Sequence, residues 1–213
     1  MTQILPMPVT SLARPARLLL IALVPLAAFM AMAHTTVVGA SAGEMTAAQV
    51  DERALRWMAT AVLWILPVVL AAIAFTTMES WLGGRAVRRL AVVGTGFLIA
   101  YVAAQAGVVW IDGADALAGS SWFALGMLLS LLGWWSIDLA AMITCLHLFK
   151  NKVIPRTALV IGLLTAVLTV LEVAIYLPAL AGARELHETV GLPPMLLPAL
   201  WAVLGGVLWR KDR

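Results

Sequence analysis

The chain has 213 residues, of which 63% are hydrophobic and only 12% charged, and its mean hydropathy is +1.00. A soluble domain averages roughly 25% charged residues, so this chain lacks the polar residues to coat a soluble surface, and it carries no nucleic-acid-binding signature. Its single cysteine excludes an internal disulfide, and the net charge of +3 says less than where the basic residues fall along the chain.

A spanning helix needs about 20 mostly apolar residues. Six stretches meet or approach that length: residues 18–33, 57–77, 90–110, 122–149, 157–180 and 190–209. The expected fold is an all-α polytopic transmembrane bundle, one six-helix domain over residues 1–213. The first stretch is the shortest. Arg14 and Arg17 before it and Ala31, Met32 and Ala33 at its end also resemble a secretory signal with its cleavage site; the expectation is a retained helix. Thr46 and Gln49 form a capping-box pattern that starts a helix running through Ala47–Trp57 into the second stretch. Arg85, Arg88 and Arg89 precede the third, a basic cluster suited to anionic lipids, and Glu79 is expected to pair locally with one of them. The fourth is long enough to tilt. Pro25, Pro67, Pro193, Pro194 and Pro198 interrupt or crowd the spans, where neighbouring helices can re-satisfy the freed carbonyls. Trp57, Trp81, Trp110, Trp122 and Trp209 sit near span ends, the level that amphipathic rings favour.

The basic residues decide the orientation. With a cytoplasmic N-terminus, eleven of the fourteen fall inside: Arg14, Arg17, Arg85, Arg88, Arg89, Lys150, Lys152, Arg156, Arg210, Lys211 and Arg213. Only Arg53, Arg56 and Arg184 fall outside. Both termini are therefore expected in the cytoplasm. Asp112, Asp115, Glu185 and Glu188 face the other way.

The segment Gly133–His147, GWWSIDLAAMITCLH, places an acid deep within the fourth stretch. A charge near the bilayer centre costs about 2.5–3.5 kcal/mol on insertion scales and usually faces a bundle interior. Asp138 and Glu172 are the two such residues. Their spans are joined by the short link KNKVIPR and pack as antiparallel neighbours. Asp138 lies roughly 18 Å from Lys150, and Glu172 roughly 24 Å from Arg156, at 1.5 Å per residue. The two carboxyls are thus offset by only about 6 Å in depth. Residues three, four or seven apart share a helix face. Trp134, Asp138 and Cys145 align on the fourth span, with Met142 between them. Thr165, Thr169, Glu172 and Tyr176 align on the fifth, and Tyr101 and Gln105 offer polar groups from the third. No lysine or arginine reaches that depth, so at least one acid is expected to be neutral.

The plainer reading of a buried acid is interhelical glue; the second acid tips the balance toward proton or cation exchange. Trp134 and Trp135 read first as packing and second as an aromatic lining for a cation. Cys145 reads as a small buried hydrophobe. His34, His147 and His187 lack ligand spacing, so neither metal nor other cofactor is expected. GASAG in the loop after the first span lacks the nucleophile-elbow pattern. Gly94–Gly96 is a packing feature rather than a nucleotide fingerprint. Ala103 with Gly107, Gly162 with Ala166, and Ala202 with Gly206 are spaced to let helices approach closely.

Four segments carry a resemblance: GEMTAAQVDERALRW, GRAVRRLAVVGTGF, KNKVIPRTALVIGLL with Pro155–Arg156 as its sharpest element, and LPPMLLPALWAVLGGVLWRK. Together they resemble a large family of uncharacterised bacterial six-helix multipass membrane proteins. The resemblance implies six helices, the stated topology and a bacterial cytoplasmic membrane. It implies no activity, and the double tryptophan and Asp138 depart from it. Three function classes stand. The first is a proton- or cation-linked carrier or binding protein for a small hydrophobic or cationic ligand. The second is an intramembrane enzyme in which one acid protonates an isoprenoid-like lipid. The third is a non-catalytic subunit or assembly factor, as part of a homo- or hetero-oligomer.

Overall fold

The structure is a computed structural model and describes residues 12–37, 47–82, 85–112, 121–180 and 193–211. Every element among these residues is helical. Helix α1 (Ala13–Ile21) passes at Ala22 into α2 (Leu23–Val37). Then come α3 (Ala47–Leu82), α4 (Ala86–Gly107), which ends in a wider π-helical turn over Val108–Asp112, α5 (Ser121–Lys150), α6 (Pro155–Leu180) and α7 (Pro193–Lys211). Among the described residues, five segments are long and apolar enough to cross a membrane: Ala13–Ala31, Trp57–Glu79, Ala86–Trp110, Ala124–Lys150 and Pro155–Ile175.

The break between α1 and α2 has a local cause. Pro25 has no N–H to give, and its ring presses on the carbonyl four residues earlier, that of Ile21. Hydrogen bonds from Ala22 to Leu18 (3.1 Å) and from Leu26 to Ala22 (3.4 Å) carry the rod across. Pro67 sits within α3 and Pro198 within α7. Helix α3 is described from Ala47; the capping pattern of Thr46 and Gln49 lies outside the described residues and side chains. Its 36 residues extend roughly 54 Å, well beyond the ~30 Å hydrocarbon core, so the part before Trp57 stands clear of the apolar span.

Lipid is as apolar as leucine, so these helices associate through close packing rather than through burial from water. Glycines make the closest approaches. A Cβ on Gly94 of α4 would meet Ile137 Cδ1 at 2.8 Å and the Gly133 carbonyl of α5 at 2.9 Å. On Gly205 of α7 it would meet the Ala16 carbonyl of α1 at 2.8 Å. Several of the small residues therefore resolve differently from expectation. Of the Gly94–Gly96 packing feature only Gly94 makes the approach, Gly96 having nothing within 4 Å, and at the end of the chain's last helix Gly205 makes it rather than the expected Gly206. Gly107 takes the Trp122 ring rather than another helix backbone, while Gly162 faces Cys145 of α5, as its spacing suggested.

The helix ends sort by charge. The Arg17 guanidinium lies 4.6 Å from the centroid of the Trp209 ring, which brings the start of α1 to the end of α7. Lys211 Nζ donates to the Val153 carbonyl in the α5–α6 turn. His147, near the end of α5, reaches Glu79 near the end of α3. Arg14, Arg17, Arg85, Arg88, Arg89, Lys150, Lys152, Arg156, Arg210 and Lys211 therefore gather at one end of the bundle. The opposite end is tied by Trp57 of α3, whose Nε1 donates to Gln105 Oε1 of α4 at 2.9 Å.

Candidate functional site

Asp138 is completely buried, and Glu172 is 1% exposed. Helix α5 turns Asp138 toward α6, where Thr169 Oγ1 donates to Asp138 Oδ2 at 3.0 Å. The same hydroxyl lies 2.9 Å from the Thr165 carbonyl, one turn back on α6. Thr169 has one proton and a carbonyl can only accept. The two contacts are compatible with a three-centre bond that shares this proton between both acceptors, or with a protonated Asp138 donating to Thr169 while Thr169 donates to the carbonyl.

Glu172 stands one turn beyond Thr169 on α6. Asp138 Oδ1, both Glu172 carboxyl oxygens and Thr165 Oγ1 are buried without a hydrogen-bond partner. The Trp135 indole Nε1 is likewise buried without a hydrogen-bond partner. Among the described residues the one contact between a basic and an acidic side chain is His147–Glu79, so neither Asp138 nor Glu172 has a basic partner there. Unpartnered buried acceptors of this kind are rare in native proteins and ask for an explanation.

The other predicted residues divide. Trp134 is buried and packs at a tilt of 42° against Trp64 with ring centroids 4.9 Å apart; Trp64 in turn packs at 50° against Phe29. Trp64 Nε1 donates to Ser130 Oγ at 3.0 Å, so this cluster binds α2, α3 and α5 to one another. Gln105 is buried but is spent on Trp57 at the far end, away from the acids. Tyr101 packs against the apolar core. The side chain of Tyr176 lies outside the described residues, as do those of His34, His187, Trp81 and the acidic residues Asp112, Asp115, Glu185 and Glu188. Cys145 is buried against Gly162. No group of three His, Cys, Asp or Glu side chains able to hold a metal ion exists among the described residues.

Glu79 corrects the expectation of a local arginine pair. It is 2% exposed, and its Oε2 lies 3.4 Å from His147 Nδ1. Arg85, Arg88 and Arg89 are exposed instead. The signal was present in the sequence: Glu79 and His147 each lie within two turns of the basic end of their helix, one on α3 and one on α5. Hydropathy carries no information on which helix faces which, so the pairing itself was not readable.

Compared with protein-family models, curated proteins and solved structures, the chain matches none.

Proposed function

We propose that the protein is a proton- or cation-linked carrier or binding protein for a small hydrophobic or cationic molecule, with Asp138 and Glu172 as its exchanging pair. The observation that carries this reading is the pair itself: two buried carboxyl groups across the α5–α6 contact, no basic partner among the described residues, and three of their four oxygens free of hydrogen bonds. Glue alone asks for one protonated acid with its bonds made. Here Asp138–Thr169 meets that need, and Glu172 is left over. A second carboxyl held beside the first provides an acceptor for a proton or a ligand cation, and the Thr169 contact gives the first a stable neutral state. Trp134 and Trp135 supply aromatic surface on the same helix. The pair would titrate as one coupled unit.

The same proposal takes α7 as a sixth span, with both termini in the cytoplasm of a bacterium and membership of the uncharacterised multipass family. The gathering of basic residues at one end of the bundle supports the orientation, by the positive-inside rule. Arg85, Arg88 and Arg89, exposed at that end, face the anionic headgroups of the inner leaflet.

The test is proton uptake by the purified protein in liposomes, read with a pH-sensitive dye while a panel of hydrophobic amines and other small cations is added. Wild type should exchange protons with at least one class of ligand. Asp138→Asn, which keeps a hydrogen-bonding side chain, should lose that exchange while its melting temperature stays within about 2 °C of wild type, a shift worth under about 1 kcal/mol for a chain of this size. Unchanged exchange in Asp138→Asn would remove the pair from the mechanism. A large loss of thermal stability without any exchange in wild type would leave the acids as glue.

A further inference from the structure

A groove of ≈ 360 Å³ runs between α6 and α7, lined by Arg156, Thr157, Val160, Ile161 and Leu164 from α6 and by Leu200 and Val203 from α7. The helices are antiparallel and are pinned together at its foot by the contact from Lys211 to the Val153 carbonyl. Leu164 is eleven residues above Val153, and Leu200 eleven residues above Lys211, so the two walls end at the same height. From Arg156 to Leu164 the groove is about 12 Å long at 1.5 Å per residue. One leaflet of the hydrocarbon core is about 15 Å deep, half of the ~30 Å whole. The groove therefore starts at the basic end of the bundle and runs through most of one leaflet.

We propose that it seats one acyl chain of an anionic phospholipid, with the lipid phosphate held by Arg156. Above Thr157 the lining is wholly aliphatic. The groove opens sideways: Val160 is 54%, Leu164 45% and Val203 57% exposed, and in a bilayer that exposure is to lipid. Arg156 is the one charged residue in the lining. It is exposed and has no acidic partner among the described residues. A guanidinium at headgroup level grips a phosphate with two parallel hydrogen bonds, and Lys152, Arg210 and Lys211 around it add positive charge that favours a net-negative lipid over a zwitterionic one. The groove uses none of the exchanging residues, so it stands or falls independently of the carboxyl pair.

The experiment uses the full chain in nanodiscs of phosphatidylcholine doped with phosphatidylglycerol, followed by native mass spectrometry of the lipid that stays bound. One phosphatidylglycerol should be retained in preference to phosphatidylcholine. Arg156→Gln should weaken that retention about five-fold, the equivalent of roughly 1 kcal/mol for one basic residue at the membrane surface. Val203→Trp, at an exposed position where a larger ring fills the groove without touching Arg156, should displace the lipid; Leu164→Trp gives the same readout if the first variant is poorly folded. Arg88→Gln, in the other basic cluster, should leave it bound. Inorganic phosphate should not compete, because the acyl chain supplies much of the contact. The proposal is overturned by equal retention of the two lipids, by a Val203→Trp and Leu164→Trp pair that hold phosphatidylglycerol as wild type does, by competition from free phosphate, or by a second protein chain in place of the lipid.

Discussion

Thr169 shows how one hydroxyl can set the behaviour of a buried acid. It stands between Asp138 and the Thr165 carbonyl, so its replacement tests the hydrogen bond without touching the carboxyl. Thr169→Val should lower stability by about 0.6 kcal/mol, the average for interhelical hydrogen bonds in a membrane protein, and by no more than about 1.7 kcal/mol, and Thr169→Ser should restore it; thermal unfolding in detergent reads both. No loss in Thr169→Val would mean that the contact does not hold α5 to α6. Lys152 is a different residue-scale case. Its φ of 55° is left-handed, where a Cβ is strained. The N–H of Val153 reaches back to Leu148 (3.0 Å) and that of Lys152 to Phe149 (3.0 Å), which closes the end of α5 in a Schellman arrangement where glycine is the usual residue. Lys152→Gly should therefore raise stability by up to about 1 kcal/mol, whereas Lys152→Ala should give no gain. A destabilised glycine variant would show that the lysine side chain matters more than its backbone strain.

At the scale of the helix, contact is decided by which small residue faces a neighbour. Gly94 and Gly96 are two positions apart in one helix, and only Gly94 abuts α5. Gly94→Ala should destabilise the bundle by about 1–3 kcal/mol through overpacking. Gly96→Ala should be neutral or stabilising by up to about 1 kcal/mol, since alanine is the better helix former. Equal effects from the two substitutions would contradict the observed rotation of α4. The Glu79–His147 pair ties α3 to α5 in the same manner. His147→Leu leaves a buried carboxyl without its partner and should cost about 1–3 kcal/mol. Adding Glu79→Leu to that variant should recover part of the loss, which a double-mutant cycle measures; full additivity would mean that the two side chains do not interact.

At the scale of the whole molecule, α1 and α7 close the bundle, with Gly205 against Ala16 and Arg17 over Trp209. The start of α1 and the end of α7 thus share one end of the bundle with the α5–α6 turn. If that end is cytoplasmic, a single cysteine at Asn151, placed in a chain whose Cys145 has been replaced by alanine, should resist a membrane-impermeant thiol reagent added to intact cells and react after lysis. A cysteine at Gly113 should react from outside. Labelling of Asn151 in intact cells would invert the topology.

Hydropathy, the placement of fourteen basic residues and the depth of two acids are one-dimensional properties, carried by the order of the residues alone. From them follow an all-helical membrane protein, a charged end, and Asp138 and Glu172 at neighbouring depths on adjacent helices. The stripe Thr165, Thr169, Glu172 was legible too, because helical periodicity places those residues on one face. Other partners were not legible. Gln105 could as well have turned to Asp138 as to Trp57, Glu79 to Arg85 as to His147, and Gly96 to α5 as Gly94. Those choices depend on the rotation of each helix about its own axis, and the rotation is set by the joint packing of several helices in a solvent as apolar as their own side chains. Periodicity names the face, but only the tertiary contacts decide what that face meets.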